Sequence, residues 1–296
     1  MRRIVGLGLC VVDHSYRVES LEPQQVRTRY RERHVSSGGM TATALRQAAA
    51  LGCDAHLLSI VGDDAEGRYL RRTLRAAGVK TRRLIASAHA PTTLAVVLVE
   101  PSGERRFLVP DRRRSEARAP ELDLSVIRRD GLLLVDGHFP AQALRAARRA
   151  RALGGTVVGD FHRPAPGVRR LLPHVDHAIV PMEFVQAAGH GDPRRTLREL
   201  AAVSGGRPVV TQGPRGGLYL DGNRVRRFAA QRTRVVDSTG AGDVFHGAFA
   251  AGLAYGLDFE VCLRLAARAA AYNCSALGGA GRFMTRAEMR RVLAVS

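Results

Sequence analysis

The stretch VVDSTGAGDVFHGAFAAGLAYG, Val235 to Gly256, sets Asp243 directly behind Gly240, Ala241 and Gly242. The preceding TRVVD is rich in β-formers, and DVFHGAFAAGLAYG carries small residues at helical spacing. Ser238 to Gly242 is therefore expected to turn a strand into a helix. Free N–H groups at a helix start attract anions, and Gly240 and Gly242 would let a phosphate come close with no Cβ in the way. Asp243 would then stand where those N–H groups point. Two roles fit it: an electrostatic cap for the helix, or a base that takes a proton from a substrate hydroxyl while the N–H groups hold a transferring phosphoryl group. The residues alone leave both open.

Other candidates lie where strands are expected to end. Asp13 closes the apolar run RRIVGLGLCVVD, and open α/β sheets bind ligands beyond the carboxyl ends of their strands. It is a ligand contact there, or a turn cap. Asp160 ends TVVGD, where an acid either helps position phosphate or magnesium or caps the turn. Two nucleotide devices are excluded. GLGLCV has Val11 where a dinucleotide fingerprint has its third glycine, so a nicotinamide cofactor is not expected, and AAGVKT around Lys80, the only lysine, is no P-loop.

The elements that must position these residues alternate. RRIVGLGLCVVD is expected as one buried strand, Gly38 to Gly52 as a helix bounded by glycines, DAHLLSIVG as a strand, and DAEGRYLRRTLRAAG as a helix with Leu70, Leu74 and Ala77 on one stripe. The strand GLLLVDG, the helix AQALRAARRARALG and the strands TVVGD, HAIVP and RPVVTQG follow. Such alternation predicts a parallel sheet covered on both faces. RPVVTQGPRGGLYLDGNRVRRF ends it with antiparallel edge strands turning at Asp221-Gly222, before a helical C-terminus. His14 to Ser37 and Pro91 to Pro110 instead alternate with period two, the second folding at Pro-Ser-Gly-Glu. Together they predict a small antiparallel sheet projecting from the core.

Composition narrows the function classes. The chain has 296 residues, a formal net charge of +19 and 5% aromatic residues. Its arginines are spread along the whole length and are not interleaved with aromatics, so specific nucleic-acid binding is not expected. No run approaches the ~18 apolar residues of a membrane span. The two N-terminal arginines precede an apolar run that meets Asp13 and His14 without a small-residue cleavage site, which reads as a buried strand and not a signal peptide. Cys10, Cys53, Cys262 and Cys274 form no CxxC, so reduced thiols and a cytoplasmic location are expected.

DSTGAGDVFHGAFA resembles the second signature of the ribokinase (PfkB) family of carbohydrate kinases, D-T-x-G-A-G-D, with Ser238 the one departure. VSSGGMTATALRQAAALG resembles the family's first signature, with Gly38 and Gly39 as its diglycine, and LSIVGDDAEGRYLRRTLRAAGV its GxVGxDxxG segment. VTQGPRGGLYL resembles its nucleotide strand and turn, and NCSALGGAG its adenine-side loop. The resemblance covers essentially the whole chain, 1–296, as one kinase domain with lid insertions at about 14–37 and 91–110. It implies a ribokinase-like three-layer α/β sandwich with a mostly parallel central sheet and a small antiparallel β-lid, through which two copies form a homodimer.

The resemblance also implies site residues. Asp243 becomes the catalytic base, and Gly240, Ala241 and Gly242 the anion hole. Asp13, Gly38, Gly39 and Thr43 become sugar contacts, although Thr43 stands where the family has Asn. His138, by its place just after the strand LLLVDG, is either a further sugar contact or a turn histidine. Thr211, Gly213, Gly216, Asn273 and Ala276 would hold ATP. Glu183 matches the last residue of Asn-x-x-Glu, which orders Mg2+, with Val180 in place of the Asn; an exposed helical acid is the alternative. Asp237 and Thr239, with carbonyls near Cys274 and Gly279, match a K+ site of some relatives. GLGLCVVDHSYRVESL and VTQGPRGGLYL are most similar to the ketohexokinase and sulfofructose kinase branches, implying an ATP-dependent kinase of ketoses or related sugars. A nucleoside kinase and a catalytically weak sugar-binding scaffold are the alternatives.

The lid raises one further question. In VRTRYRERHV, strict alternation puts Arg27, Arg29, Arg31 and Arg33 on one face and Val26, Thr28, Tyr30, Glu32 and His34 on the other, with Arg105 and Arg106 on the second hairpin. Either the arginines look down on the substrate and pair with an anionic group on it, or they face outward and the Tyr30 and His34 face meets the sugar or a partner's lid.

Overall fold

The structure, a computed structural model, describes residues 3–21, 26–100, 105–111, 119–276, 278 and 281–294. In chain order its elements begin β1 (Arg3–Leu7), β2 (Val11–Val18), β3 (Tyr30–Gly38), α1 (Met40–Ala50), β4 (Asp54–Gly62), α2 (Ala65–Ala76), β5 (Leu84–Ser87), β6 (Leu94–Val99) and β7 (Arg105–Leu108). They continue with β8 (Leu132–Val135), α3 (Pro140–Ala152), β9 (Thr156–Asp160), α4 (Pro166–Leu171), β10 (His177–Pro181), α5 (Met182–Ala187), α6 (Pro193–Val203) and β11 (Val209–Thr211). β12 (Gly217–Asp221), β13 (Arg224–Phe228), α7 (Ala241–Ala254), α8 (Phe259–Cys274) and α9 (Arg286–Ala294) complete the chain.

Nine strands form the large sheet in the order β13-β12-β11-β10-β9-β8-β1-β4-β5, parallel from β11 to β5. Only the β12 and β13 edge runs antiparallel, closed by the turn after Asp221. The uninterrupted apolar strands follow from burial on both faces. In β8, Leu132 and Leu134 join the core beneath α1, α7 and α8, while Leu133 and Val135 join the core beneath α3 to α6. Successive side chains of one strand thus feed two cores, and helices cover both faces of the sheet.

The apolar run at the N-terminus is not one strand. β1 ends at Leu7, and after Gly8, Leu9 and Cys10 the chain enters β2 in a second sheet, ordered β3-β2-β6-β7. A run of apolar residues does not reveal where a strand changes sheets. The small sheet is not wholly antiparallel either. β2 pairs β3, and β6 pairs β7, in antiparallel fashion, but the β2–β6 seam is parallel. Both seam strands leave the large sheet from its carboxyl edge, so they run the same way. The turn expected at Pro-Ser-Gly-Glu, 101–104, lies outside the described residues. β5, α4 and α5 are too short to give a clear periodic signal in the sequence, whereas α6 buries Thr196, Leu197 and Leu200 at helical spacing and is absent from the elements expected above.

Pairing settles which lid residues share a face, because directly opposed residues point the same way. Asp13 opposes Ser36, Ser15 opposes His34, and Arg17 opposes Glu32; Tyr16 opposes Arg33 on the other face. After Arg17 the register shifts, so that Val18 opposes Tyr30. Tyr30 thereby moves to the face of Tyr16, and the two rings meet edge to face at 5.1 Å. Strict alternation had grouped Tyr30 with His34; the bulge undoes that grouping.

Candidate active site

Four carboxylates converge at the carboxyl edge of the large sheet. Asp136 follows β8, Asp160 ends β9, Asp243 stands in the first turn of α7, and Asp13 reaches in from β2. In a chain of net charge +19 this is a local inversion of sign. The Asp243 carboxyl is held well above the usual carboxylate range, by burial first and then by the negative charges of Asp160, Asp13 and Asp136. Burial pushes Asp13 up to about 7. It pushes Asp160 to about 7 as well, with Asp136 raising it further and His162 and His138 opposing.

The acids differ in how they are held. Asp136 Oδ2 accepts from the Leu9 N–H at 2.6 Å, the Thr41 hydroxyl at 2.8 Å and the Thr41 N–H at 3.3 Å, while Oδ1 accepts from the His138 N–H at 3.0 Å. It ties β8 to α1 and to the crossing between the sheets. The Asp13 carboxyl makes no hydrogen bond with any described residue, so its oxygens can accept from a ligand. Gly38 makes this possible: a Cβ there would sit 1.8 Å from Asp13 Oδ2. Asp13 therefore lies within the lid sheet, not at the end of the first strand. Gly39, with φ 93°, caps α1.

The turn into α7 forms as the sequence predicts. Gly240 takes φ 72° and ψ 0°, the left-handed region that favours glycine, and α7 starts at Ala241. No acceptor among the described residues meets the N–H groups of Gly242 and Asp243, and a Cβ on Gly242 would find nothing within 4 Å. Two donors and open space above them make a cradle for an anion. Behind the turn, Asp237 Oδ1 accepts from the Thr239 N–H and hydroxyl, at 2.8 and 2.7 Å, and Oδ2 from the Gly278 N–H at 2.9 Å. Three of the roughly four lone-pair sites of a carboxylate are thus taken by the protein. Gly279 lies outside the described residues.

The other expected residues divide. Thr211 ends β11, Gly213 faces open space, and a Cβ on Gly216 would strike the Phe228 carbonyl at 2.1 Å, so this turn is shaped for close backbone approach. Asn273 does not present its amide: it is 0% exposed, and its Nδ2 donates to the Arg282 carbonyl, holding the loop that contains Ala276. Thr43 is 2% exposed inside α1, and the α1 hydroxyl that reaches the acids is that of Thr41. Helix phase decides between threonines two apart.

Glu183 opens α5 and is exposed. No group of three His, Cys, Asp or Glu side chains among the described residues could hold a metal alone. Magnesium keeps its waters and takes one or two carboxylates plus phosphate oxygens, so a site for it needs no such group. The free donors over Gly242 suit the phosphates in turn. Asp136, Thr41 and His246 were not recognised from the sequence as site residues. The DG following LLLV and the histidine one helical turn after Gly242 were the available signals, and neither is distinctive without the fold.

Residues 1–284 match the pfkB family of carbohydrate kinases. A ribokinase from Bacillus subtilis (strain 168) is 27% identical over 257 residues, covering 86% of this chain and 87% of that protein. Fructosamine kinase FrlD from the same organism is 25% identical over 287 residues, covering 94% and 93%. The structure of Arabidopsis thaliana ribokinase complexed with ribose and ATP superposes with a TM-score of 0.84 at 22% identity, covering 99% of each chain. The microbiome-derived acarbose kinase Mak1 gives a TM-score of 0.81 at 25% identity, covering 99% of this chain and 98% of the other.

Proposed function

Because the chain belongs to the pfkB family of carbohydrate kinases, ATP-dependent phosphotransferases, we propose that it phosphorylates a hydroxymethyl group of a ketose or related sugar with Asp243 as base. The observation that carries this reading is the meeting of a raised carboxyl with free N–H donors in one helical turn. A carboxylate whose affinity for protons is raised toward the working pH is a better base than an ordinary one. The donors beside it are placed to stabilise charge on a transferring group.

When bound, ATP supplies the phosphoryl group and magnesium the positive charge that offsets the acids. The chain's own residues do the rest. Asp13 accepts from a sugar hydroxyl; Asp243 takes the proton from the attacking hydroxyl at its carboxylate; the Gly242 and Asp243 N–H groups face the phosphoryl oxygens. Thr211, Gly213 and Gly216 line the nucleotide's approach, and the lid excludes water that would compete as acceptor. The lid face that carries Asp13 also carries Glu32 and His34; Arg17 on that face is paired with Glu32 at 3.6 Å and Arg33 lies on the opposite face, which supports a neutral acceptor over an anionic one. The exposed Phe107 and Leu108 on β7 support a dimer that covers the lid edge.

The test is transfer from radiolabelled ATP, with magnesium, across ketoses, aldoses, sugar acids and nucleosides. The highest kcat/KM is expected on a neutral ketose. A nucleoside or an aldose as best acceptor overturns the ketose assignment.

A further inference from the structure

His246 lies one turn beyond Gly242 in α7, and its ring is buried, 3% exposed. Its Nδ1 is 2.7 Å from the Gly242 carbonyl and its Nε2 3.2 Å from the Ile179 carbonyl of β10. Asp160 Oδ2 is 3.3 Å from Nδ1. A carbonyl can only accept, so a ring placed between two of them is satisfied only when both nitrogens donate. A ring that donates to both is an imidazolium, and the fully buried Asp160, whose oxygens have no hydrogen-bond partner among the described residues, is the group beside it that can balance the charge. Burial pulls His246 below its usual range while both carbonyls raise it. Burial pushes Asp160 upward; Asp136, His138 and His162 act on it, and its charge in turn raises Asp243.

The Gly242 carbonyl and the Asp243 N–H belong to one planar peptide unit. Fixing the carbonyl fixes the direction of the N–H, and with it the start of the Asp243 side chain. We propose that His246 is a positioning residue for phosphoryl transfer: by bonding the Gly242 and Ile179 carbonyls beside Asp160, it clamps the Gly242–Asp243 peptide to the middle of β10, aiming one anion-hole donor and the base together. This rests on the reading of Asp243 as base.

The experiment compares His246→Leu, His246→Asn and His246→Gln by steady-state kinetics, with thermal unfolding as a check on folding. The Asn amide falls near the position of Nδ1 and keeps the bond to Gly242; the Gln amide falls near Nε2 and keeps the bond to Ile179. Expected are a kcat about 10- to 100-fold lower for Leu, KM values for both substrates within about threefold, and recovery of most of the loss in Asn but not in Gln. Equal kcat losses in Asn and Gln, or a loss confined to KM, overturn the proposal, and that comparison decides even if the Leu variant does not fold. A Leu change added to Asp243→Asn is expected to cost little more, because the two act as a unit; full multiplication of the two losses overturns it. If Asp243→Asn alone keeps its turnover, the base assignment fails instead, which is a separate result.

Discussion

The floor of the cleft and the lid above it are built to opposite rules. On the floor, Asp136 accepts four hydrogen bonds, three of them from Leu9 and Thr41, and Asp160 lies fully buried beside His246. On the lid, Asp13 is bonded to nothing described, although Gly38 leaves room for it and burial raises its carboxyl to about 7. A fixed group can hold a reacting atom in line; an unbonded buried acceptor is completed by the ligand it receives. On the proposed reading, chemistry belongs to the floor and substrate choice to the lid.

Variants can break this division, and the largest effect is expected on the floor. Asp243→Asn should lower kcat by about 10² to 10⁴, with nucleotide affinity by calorimetry nearly unchanged, since an amide cannot take the proton. More than a tenth of the original turnover would mean that another group is the base. Gly38→Ala should act next most strongly, because its Cβ would meet Asp13 Oδ2 at 1.8 Å. Displacing a charged hydrogen-bond partner costs about 1.5–3 kcal/mol, so kcat/KM for the sugar should fall roughly 10- to 100-fold. The loss should sit mainly in the sugar KM; a matching fall in ATP affinity would show that the lid and floor are not separable.

A smaller effect concerns pH. Asp13 titrates at about 7 in the folded chain, above the ordinary carboxylate value, so the folded state holds a proton that the unfolded state has lost. Stability without ligand should therefore decline as pH rises from about 4 to about 7. Asp13→Asn should make the midpoint of thermal unfolding flatter over that window, and an unchanged slope would place the Asp13 carboxyl in water. The smallest effect is expected for Arg33→Ala, whose guanidinium sits 3.4 Å from His14 on the far face of β3. Turnover on neutral sugars should change less than about twofold, as for surface positions in general. A loss restricted to anionic acceptors would restore the reading in which the arginines meet the substrate.

Several elements were legible in full. DAHLLSIVG, TVVGD and HAIVP coincide with β4, β9 and β10 to the residue, and Gly240 starts α7 where the Gly-Ala-Gly turn was expected. Each depends on local rules: apolar runs buried on two faces, and glycine where φ must be positive. The convergence of the acids was not legible. Thr41 and Asp136 are 95 residues apart, and they meet because β8 lies beside β1 in the sheet order, which no local pattern encodes. The same holds for His246, whose Ile179 partner is 67 residues away, and for Tyr30, whose face was changed by a one-residue register shift. By itself the sequence determined which residues could do the chemistry and which turn would set Asp243 behind free helix N–H groups, because residue type and backbone preference are local properties. Only the tertiary structure decided which acids share a site, which are already bonded and which face of the lid looks down on them, because strand order and register are set by packing across the whole chain.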